Sequence, residues 1–311
     1  MIHTEKKYFT PDTIAEALEL AGQNRDNFKY VAGGTDVIVN KFQGNDDSPS
    51  LIDTSRIREL REVCIKESWL HIGALTRLDE LQDNAVIRQQ FSAIIEAANS
   101  VGSPLIRSSA TIGGNLLCDN RCYYYNQTEW WRDAIGFCLK CDGDICIVTG
   151  TGKLCLAEFV SDIAPVLISM DALVELTGLE THMIVPLENI YTGDGINPRN
   201  LKSSEILTSL LVPIDRKFHT VFRKLRQRES LDFTSLTTAV TTSECDGRLK
   251  IVLSGVDPRP VVIQGTRESD RKDMIKTALK MSRSIDNEVH SRKYRRKMIE
   301  VFLTESFEQL L

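Results

Sequence analysis

The chain has no apolar run approaching the roughly 18 residues that a bilayer-spanning helix needs, and its opening stretch, MIHTEKKYF, lacks the apolar core of an export signal. A membrane or exported protein is therefore not expected, and a cytoplasmic one is. A basic excess is also missing: 38 Lys and Arg against 43 Asp and Glu leave a net charge of −5, which argues against a broad nucleic-acid surface. There is no GxGxxG fingerprint and no Walker A loop, so Rossmann and P-loop nucleotide binding are unsupported. None of the five histidines has metal-ligand spacing, no Ser–His–Asp arrangement is suggested, and no internal repeat or low-complexity segment occurs.

What is present is cysteine, and it is concentrated. Of eight cysteines, six fall between Cys118 and Cys155. Cys122, Cys138, Cys146 and Cys155 are separated by 15, 7 and 8 residues, with Cys118 and Cys141 as two further thiols. In a reducing compartment such clusters bind metal or do redox chemistry more often than they form disulfides. Thiolates are soft ligands suited to iron–sulfur clusters, zinc or copper(I). Tyr123 to Tyr125, Trp130 and Trp131 interleave with them and would shield a metal centre from water. Cys138-x-x-Cys141 also reads as a zinc-knuckle or redox pair. Cys64 and Cys245 fall in strand-like segments and read as core residues.

With 311 residues, 42% hydrophobic and 26% charged, the chain has room for two or three globular domains. Thr10-Pro11 reads as the start of a helix with its apolar face on Ile14, Ala17, Leu18 and Ala21, stopped by Gly22. Short strands are expected at 28–31 and 51–52, and a hairpin around Glu67-Ser68. Thr76 and Asp79 resemble a capping box. Residues 84–100 carry a helical apolar face, Ile163 to Met170 a buried helix and 172–176 a strand, and an apolar run over 205–212 ends at Pro213. About 118–156 lacks periodicity; a loop that long is expected to be functional or tied down. After a boundary near Pro213 come strand-like segments at 219–225, 235–242, 249–254 and 260–263. Two helices, about 268–284 and 290–310, close the chain, with the basic run Arg292 to Lys297 as a solvated side.

Two glycine pairs stand apart. Gly33-Gly34-Thr35-Asp36 follows a β-like segment, and Gly113-Gly114-Asn115 precedes the cysteines. Paired glycines admit a ligand close to the backbone and aim successive N–H groups at one anion. Two such loops would clamp the two phosphates of a dinucleotide; the plain alternative for each is a tight turn.

Val31-Ala32-Gly33-Gly34-Thr35-Asp36 and Thr111-Ile112-Gly113-Gly114-Asn115-Leu116 resemble the two flavin-binding signatures of the medium, FAD-binding subunits of the xanthine oxidase family. Ser161-Asp162-Ile163-Ala164-Pro165 and Phe222-Arg223-Lys224-Leu225 extend the likeness over nearly the whole chain. The cysteine insertion, with Tyr124-Tyr125-Asn126-Gln127 and Trp130-Trp131-Arg132, is similar to that of the β subunits of 4-hydroxybenzoyl-CoA reductases. The resemblance implies an α+β fold: a two-lobed FAD-binding domain of the vanillyl-alcohol-oxidase/CO-dehydrogenase-flavoprotein type over 1–215 and a C-terminal α/β domain over 216–311. It implies FAD held by Ala32, Gly33, Gly34, Thr35 and Asp36, with Thr111, Gly114 and Asn115 opposite. Asp162 would bond the ribityl or adenosine-ribose part, and Lys224 the isoalloxazine edge. Without the resemblance, Asp162 reads as a helix N-cap and Lys224 as a surface lysine. The resemblance further implies a 4Fe–4S cluster on Cys122, Cys138, Cys146 and Cys155, with Cys118 and Cys141 as non-ligands.

On that likeness the chain is an electron-transfer subunit with no catalytic residue of its own. Its partners would be a molybdopterin subunit and a 2Fe–2S subunit, with ferredoxin as electron donor. Two rivals stand beside it: the same flavoprotein serving a molybdenum hydroxylase with another substrate, and a non-enzymatic reading with structural zinc and glycines as simple turns.

Overall fold

The computed structural model describes residues 6–25 and 27–310; the first five residues of the opening stretch, Asp26 and Leu311 lie outside that description. In chain order the first third runs β1 (Lys7–Phe9), α1 (Ile14–Asn24), β2 (Phe28–Val31), α2 (Val37–Phe42), β3 (Ser50–Asp53), β4 (Val63–Lys66), β5 (Trp69–Gly73), α3 (Ala85–Gln90), α4 (Ser92–Asn99), α5 (Pro104–Arg107) and α6 (Ile112–Leu116). Then follow α7 (Glu129–Ile135), α8 (Ala164–Ser169), β6 (Leu173–Thr177), β7 (His182–Pro186) and β8 (Ile206–Pro213). The last third is β9 (Phe218–Leu225), β10 (Leu236–Ser243), β11 (Arg248–Ser254), β12 (Val261–Thr266), α9 (Arg271–Met281) and α10 (Arg292–Leu310).

Three sheets result. β1, β3 and β2 form a small parallel sheet with β3 in the middle. β4-β5-β8-β6-β7 is an antiparallel five-stranded sheet, and β12-β11-β10-β9 an antiparallel meander. Every residue of α8 is buried. One hydrophobic core joins α8 and the five-stranded sheet to Phe222, Ala239 and Val252 of the meander; a second lies between the meander and the last two helices. The glycine loops run along the edge where these layers meet.

Local chemistry moved several boundaries. The first helix is capped by Thr13, whose Oγ1 accepts from Glu16 N at 3.2 Å, rather than by Thr10. It passes through Gly22 and stops at Arg25, which takes the left-handed φ of 41° that ends the helix. The expected capping box at Thr76 does not form; Arg77 N donates to Glu80 Oε2 instead. The helix over 84–100 is two helices, α3 and α4, broken at Phe91 (φ −132°, ψ 43°), which is buried. The apolar run after Asp36 is a helix, α2, and the cysteine region contains one too, α7. Cys64 is half-buried on β4 and Cys245 is exposed in the turn after β10, so neither is core.

The basic run of the last helix is not all solvated. Arg295 is fully buried. It donates to the Glu158 carboxylate, to Gly255 O at 2.8 Å and to Ile285 O. A guanidinium buried this deeply is tolerable because carboxylate and carbonyl oxygens take its protons.

Candidate functional site

The two glycine loops meet face to face, but not with equal freedom. A Cβ built on Gly33 would lie 1.9 Å from Ser109 O, and one on Gly113 2.8 Å from the Ala74 side chain. Gly34 has φ +72°. These three glycines answer to the protein's own backbone: close approach at two, a left-handed turn at the third. A Cβ on Gly114 would touch only Thr111 Oγ1, at 3.0 Å. Gly114 therefore opens a cradle that a side chain would fill. Thr111 caps α6, its Oγ1 accepting from Gly114 N at 3.1 Å.

Two cavities flank these loops. The larger, about 510 Å³, lies between the glycine loops, the start of the cysteine region and residues 227–235. The smaller, about 160 Å³, is lined by Ala32, Gly33, Gly34, Thr111, Leu75 and Leu207 among others. Thr35, Asp36 and Gly114 line both. In the smaller cavity Tyr30 Oη and Glu205 Oε1 are buried without a hydrogen-bond partner, as donor and acceptor for a polar heterocycle would be. A long ligand with two bulky ends and a narrow middle fits this pair of spaces.

Of the residues singled out from the sequence, Ala32 to Asp36, Thr111, Gly114, Asn115 and Asp162 all line one cavity or both. Asn115 Oδ1 accepts from Ser161 Oγ at 2.7 Å. Asp162 is no N-cap: Ile163 occupies that position of α8, and Ala164 N donates to Ser161 Oγ at 3.1 Å. Lys224 is no surface lysine. Its Nζ donates to Asp162 Oδ2 at 2.6 Å and to Ser100 O at 3.0 Å, and both members of the pair are nearly inaccessible. Thr237 Oγ1 donates to Asp162 Oδ1 at 3.1 Å. Burial lifts the Asp162 carboxyl while Lys224 opposes it. Lys224 stands behind Asp162, and the carboxylate side lines the cavity.

Cys122, Cys138, Cys146 and Cys155 line one small cavity of about 20 Å³ together with Tyr124, Tyr125 and Ile285. Cys118 and Cys141 are not among its lining residues. Among the described residues no three His, Cys, Asp or Glu side chains close on one point as ligands of a single ion would. Burial pushes the Cys122 thiol up to about 12 and that of Cys155 to about 11; as thiolates these groups need a bound cation beside them. The surrounding stretch is pinned by side chains. Arg132, fully buried, donates to Tyr125 O at 3.3 Å, Gln127 O at 2.5 Å and Gly44 O at 3.1 Å. Lys140 Nζ donates to Asp119 Oδ1 at 2.9 Å and Gly195 O at 2.6 Å, and lies over the Tyr125 ring. Gly195 packs so close that a Cβ there would meet Cys155 Sγ at 2.7 Å. Cys122 lines this cavity and the 510 Å³ one, so it is the wall between them.

Arg121, Arg132, Lys140, Gly195 and the loop 227–235 were not found from the sequence. The arginine beside the first cage cysteine was the one available signal; the loop carries none.

The fold and the paired cavities define a flavoprotein-like α+β chain with a two-ended ligand site. The sequence profile of the FAD-binding domain in molybdopterin dehydrogenase matches residues 3–215. Among the relatives, the nicotinate dehydrogenase FAD-subunit of Eubacterium barkeri is 28% identical over 228 residues, 72% of this chain and 64% of that protein, so the match leaves more than a third of that relative uncovered. The aldehyde oxidoreductase FAD-binding subunit of Escherichia coli is 27% identical over 81% of this chain and 82% of its own length. Carbon monoxide dehydrogenase from Hydrogenophaga pseudoflava superposes with TM-score 0.75 at 20% identity, covering 99% of this chain and 98% of that one. Quinoline 2-oxidoreductase from Pseudomonas putida superposes with TM-score 0.71 at 14% identity over the same shares. This chain belongs to the family of FAD-binding subunits of molybdopterin dehydrogenases. Among the described residues, no helix is long and apolar enough to cross a membrane.

Proposed function

We propose that this chain is an electron-transfer subunit holding FAD between its glycine loops and a 4Fe–4S cluster on Cys122, Cys138, Cys146 and Cys155, in a molybdenum enzyme that reductively dehydroxylates 4-hydroxybenzoyl-CoA. The observation that carries the reading is Cys122, the shared wall of the four-thiol cavity and the larger ligand cavity. A centre on that thiol would be adjacent to a flavin in the neighbouring space. When bound, FAD supplies one- and two-electron transfer and the cluster one-electron transfer. The chain's residues hold and tune. Gly114 leaves the cradle open. Asp162, neutralised by Lys224, offers an acceptor in the larger cavity. Tyr124 and Tyr125 keep water from the thiols. On this reading 1–215 is the FAD-binding domain and 216–311 a C-terminal domain whose loop 227–235 closes over the flavin. A molybdopterin subunit, a 2Fe–2S subunit and a ferredoxin complete the path.

A second reading keeps the flavin and changes the enzyme: the FAD subunit of a molybdenum hydroxylase acting on another aromatic or heterocyclic substrate. The relatives' names, nicotinate dehydrogenase and aldehyde oxidoreductase among them, favour it. The test is to purify the native complex without oxygen. One FAD and four irons per copy of this chain, with reduction of 4-hydroxybenzoyl-CoA, is the expected result. Turnover of a heterocycle but not of the thioester selects the second reading. Zinc in place of iron rejects the cluster.

A further inference from the structure

We infer that Arg121 is a binding residue for the diphosphate of the dinucleotide, held in place by Asp36; the inference rests on the FAD reading above. Charge carries it. Asp36, Glu158, Asp162, Asp232 and Glu288 line the larger cavity and Glu205 the smaller, whereas among the described residues Arg121 is the one Arg or Lys lining either. Lys224, Arg295 and Arg228 pair with Asp162, Glu158 and Asp232 without lining the cavity themselves, so Arg121 is the cation that faces the space, and a guanidinium fork matches the oxygens of a diphosphate. Position agrees with charge. The two cavities meet at Thr35, Asp36 and Gly114, where the narrow, anionic middle of a stretched dinucleotide would lie, and Arg121 is bonded there. Its Nη2 donates to Asp36 Oδ1. Its Nε is buried and has no partner.

The arrangement reassigns Asp36. Its carboxylate would repel a phosphate, yet it is fully engaged: Oδ1 by Arg121, Oδ2 by Asp119 N at 3.0 Å and by Asn40 Nδ2 at 3.4 Å. Asp36 therefore acts through the arginine. The guanidinium is further fixed by the Phe233 ring, 4.5 Å below it, and by backbone hydrogen bonds of 2.9 and 2.7 Å between Arg121 and Glu158. The Arg121 side chain is largely shielded from water, so the cation gains from a bound anion.

The experiment measures binding of FAD and of riboflavin, which has no phosphate, to the flavin-stripped full chain and its R121M variant by flavin fluorescence. R121M is expected to lose about tenfold or more in FAD affinity while riboflavin affinity stays within about twofold. A loss for FAD under about threefold overturns the inference, as does an equal loss for riboflavin, which would place the guanidinium on the ring system. R121K keeps the charge and loses the fork. It carries the test if R121M fails to fold, with an expected loss of about threefold or more for FAD and none for riboflavin. A parent chain that binds neither ligand rejects the FAD reading itself, separately from Arg121.

Discussion

The glycine-loop cradle and the cysteine cage sit side by side in the fold but are held together differently. The cradle is made of backbone: Gly33 against Ser109, Gly113 against Ala74, a cap from Thr111 to Gly114. It rests on α6 and follows β2 of the parallel sheet. The cage has little regular structure beyond α7 and leans on long polar side chains, Arg132 and Lys140, reaching back to carbonyls. Cys138, Cys146 and Cys155 are buried, Cys122 is half-buried, and Lys140 lines the same small cavity. The contrast separates a site shaped by close backbone packing from one held by long side chains.

The sharpest break in that contrast comes from the cage. Alanine at Cys122, Cys138, Cys146 or Cys155 is expected to remove all iron and to open the surrounding stretch to protease. Ordering its backbone costs roughly 1–2 kcal/mol per residue, which a four-point cross-link offsets. FAD content should stay near that of the parent. Cys141→Ala, outside the cavity lining, should keep its iron. Iron retained by the Cys138 variant and lost by the Cys141 variant would refute the ligand set.

Next in size is the cradle's own backbone. Gly33→Ala puts a methyl 1.9 Å from a carbonyl oxygen that cannot retreat without moving the Ser109 turn. The expected cost is about 3 kcal/mol of stability, with FAD lost as a consequence of the distorted loop. The phosphate path is not what Gly33 protects. A thermal unfolding midpoint unchanged from the parent would show that the two loops separate freely.

Gly114→Ala sharpens the comparison from the other side. Here a side chain enters open cradle. Stability should change by about 1 kcal/mol or less, since only Thr111 Oγ1 is near, while FAD affinity falls about tenfold or more. Equilibrium binding and unfolding on the same sample check both halves. Equal losses in the two would make Gly114 a packing glycine like Gly33.

The sequence showed more of the cradle than of what surrounds it, for physical reasons. Glycine pairs and a Ser-Asp stretch are local signals, and the residues from Ala32 to Asp36, Asn115 and Asp162 did converge. The meander after Pro213 was legible because β-rich alternation is also local. Arg295 was not: its neighbours Arg292, Lys293 and Lys297 mark a solvated face, and only the fold brings Glu158, 137 residues away, to meet it. Arg121 and Lys140 were hidden likewise, since an ion pair across 85 residues has no periodicity. Lys224 was placed at the flavin by likeness, and its engagement with Asp162 could be seen only once the fold brought β9 to the segment before α8. The long helix over 84–100 failed at Phe91, where burying the ring outweighed helical continuity.

The smallest effect tests where the cradle ends. Loop 227–235 rims the larger cavity and is folded on itself by Asp232, which accepts from Arg228 N at 2.7 Å and Arg228 Nε at 3.0 Å. Leu231 takes φ +67° there, and its N donates to Gly102 O at 3.0 Å. Asp232→Asn keeps the shape and weakens the charged bond, so FAD affinity should fall only about two- to fivefold, as expected for an exposed pair. The pH dependence gives its sign. Arg228's hydrogen bonds hold the Asp232 carboxyl below its ordinary value. A carboxyl depressed in the folded loop contributes order fully above the ordinary carboxylate value, and loses it as pH falls through the depressed one. The affinity difference between parent and D232N should therefore be constant from about pH 5 to 8 and shrink toward nothing below about pH 4. Other acids in the cavity titrate equally in both proteins and cancel in that difference. A gap of the opposite sign, with D232N binding FAD more tightly than the parent at neutral pH and the two converging on acidification, would mean that Asp232 meets the ligand as a like charge, and that the loop is part of the binding surface rather than its rim.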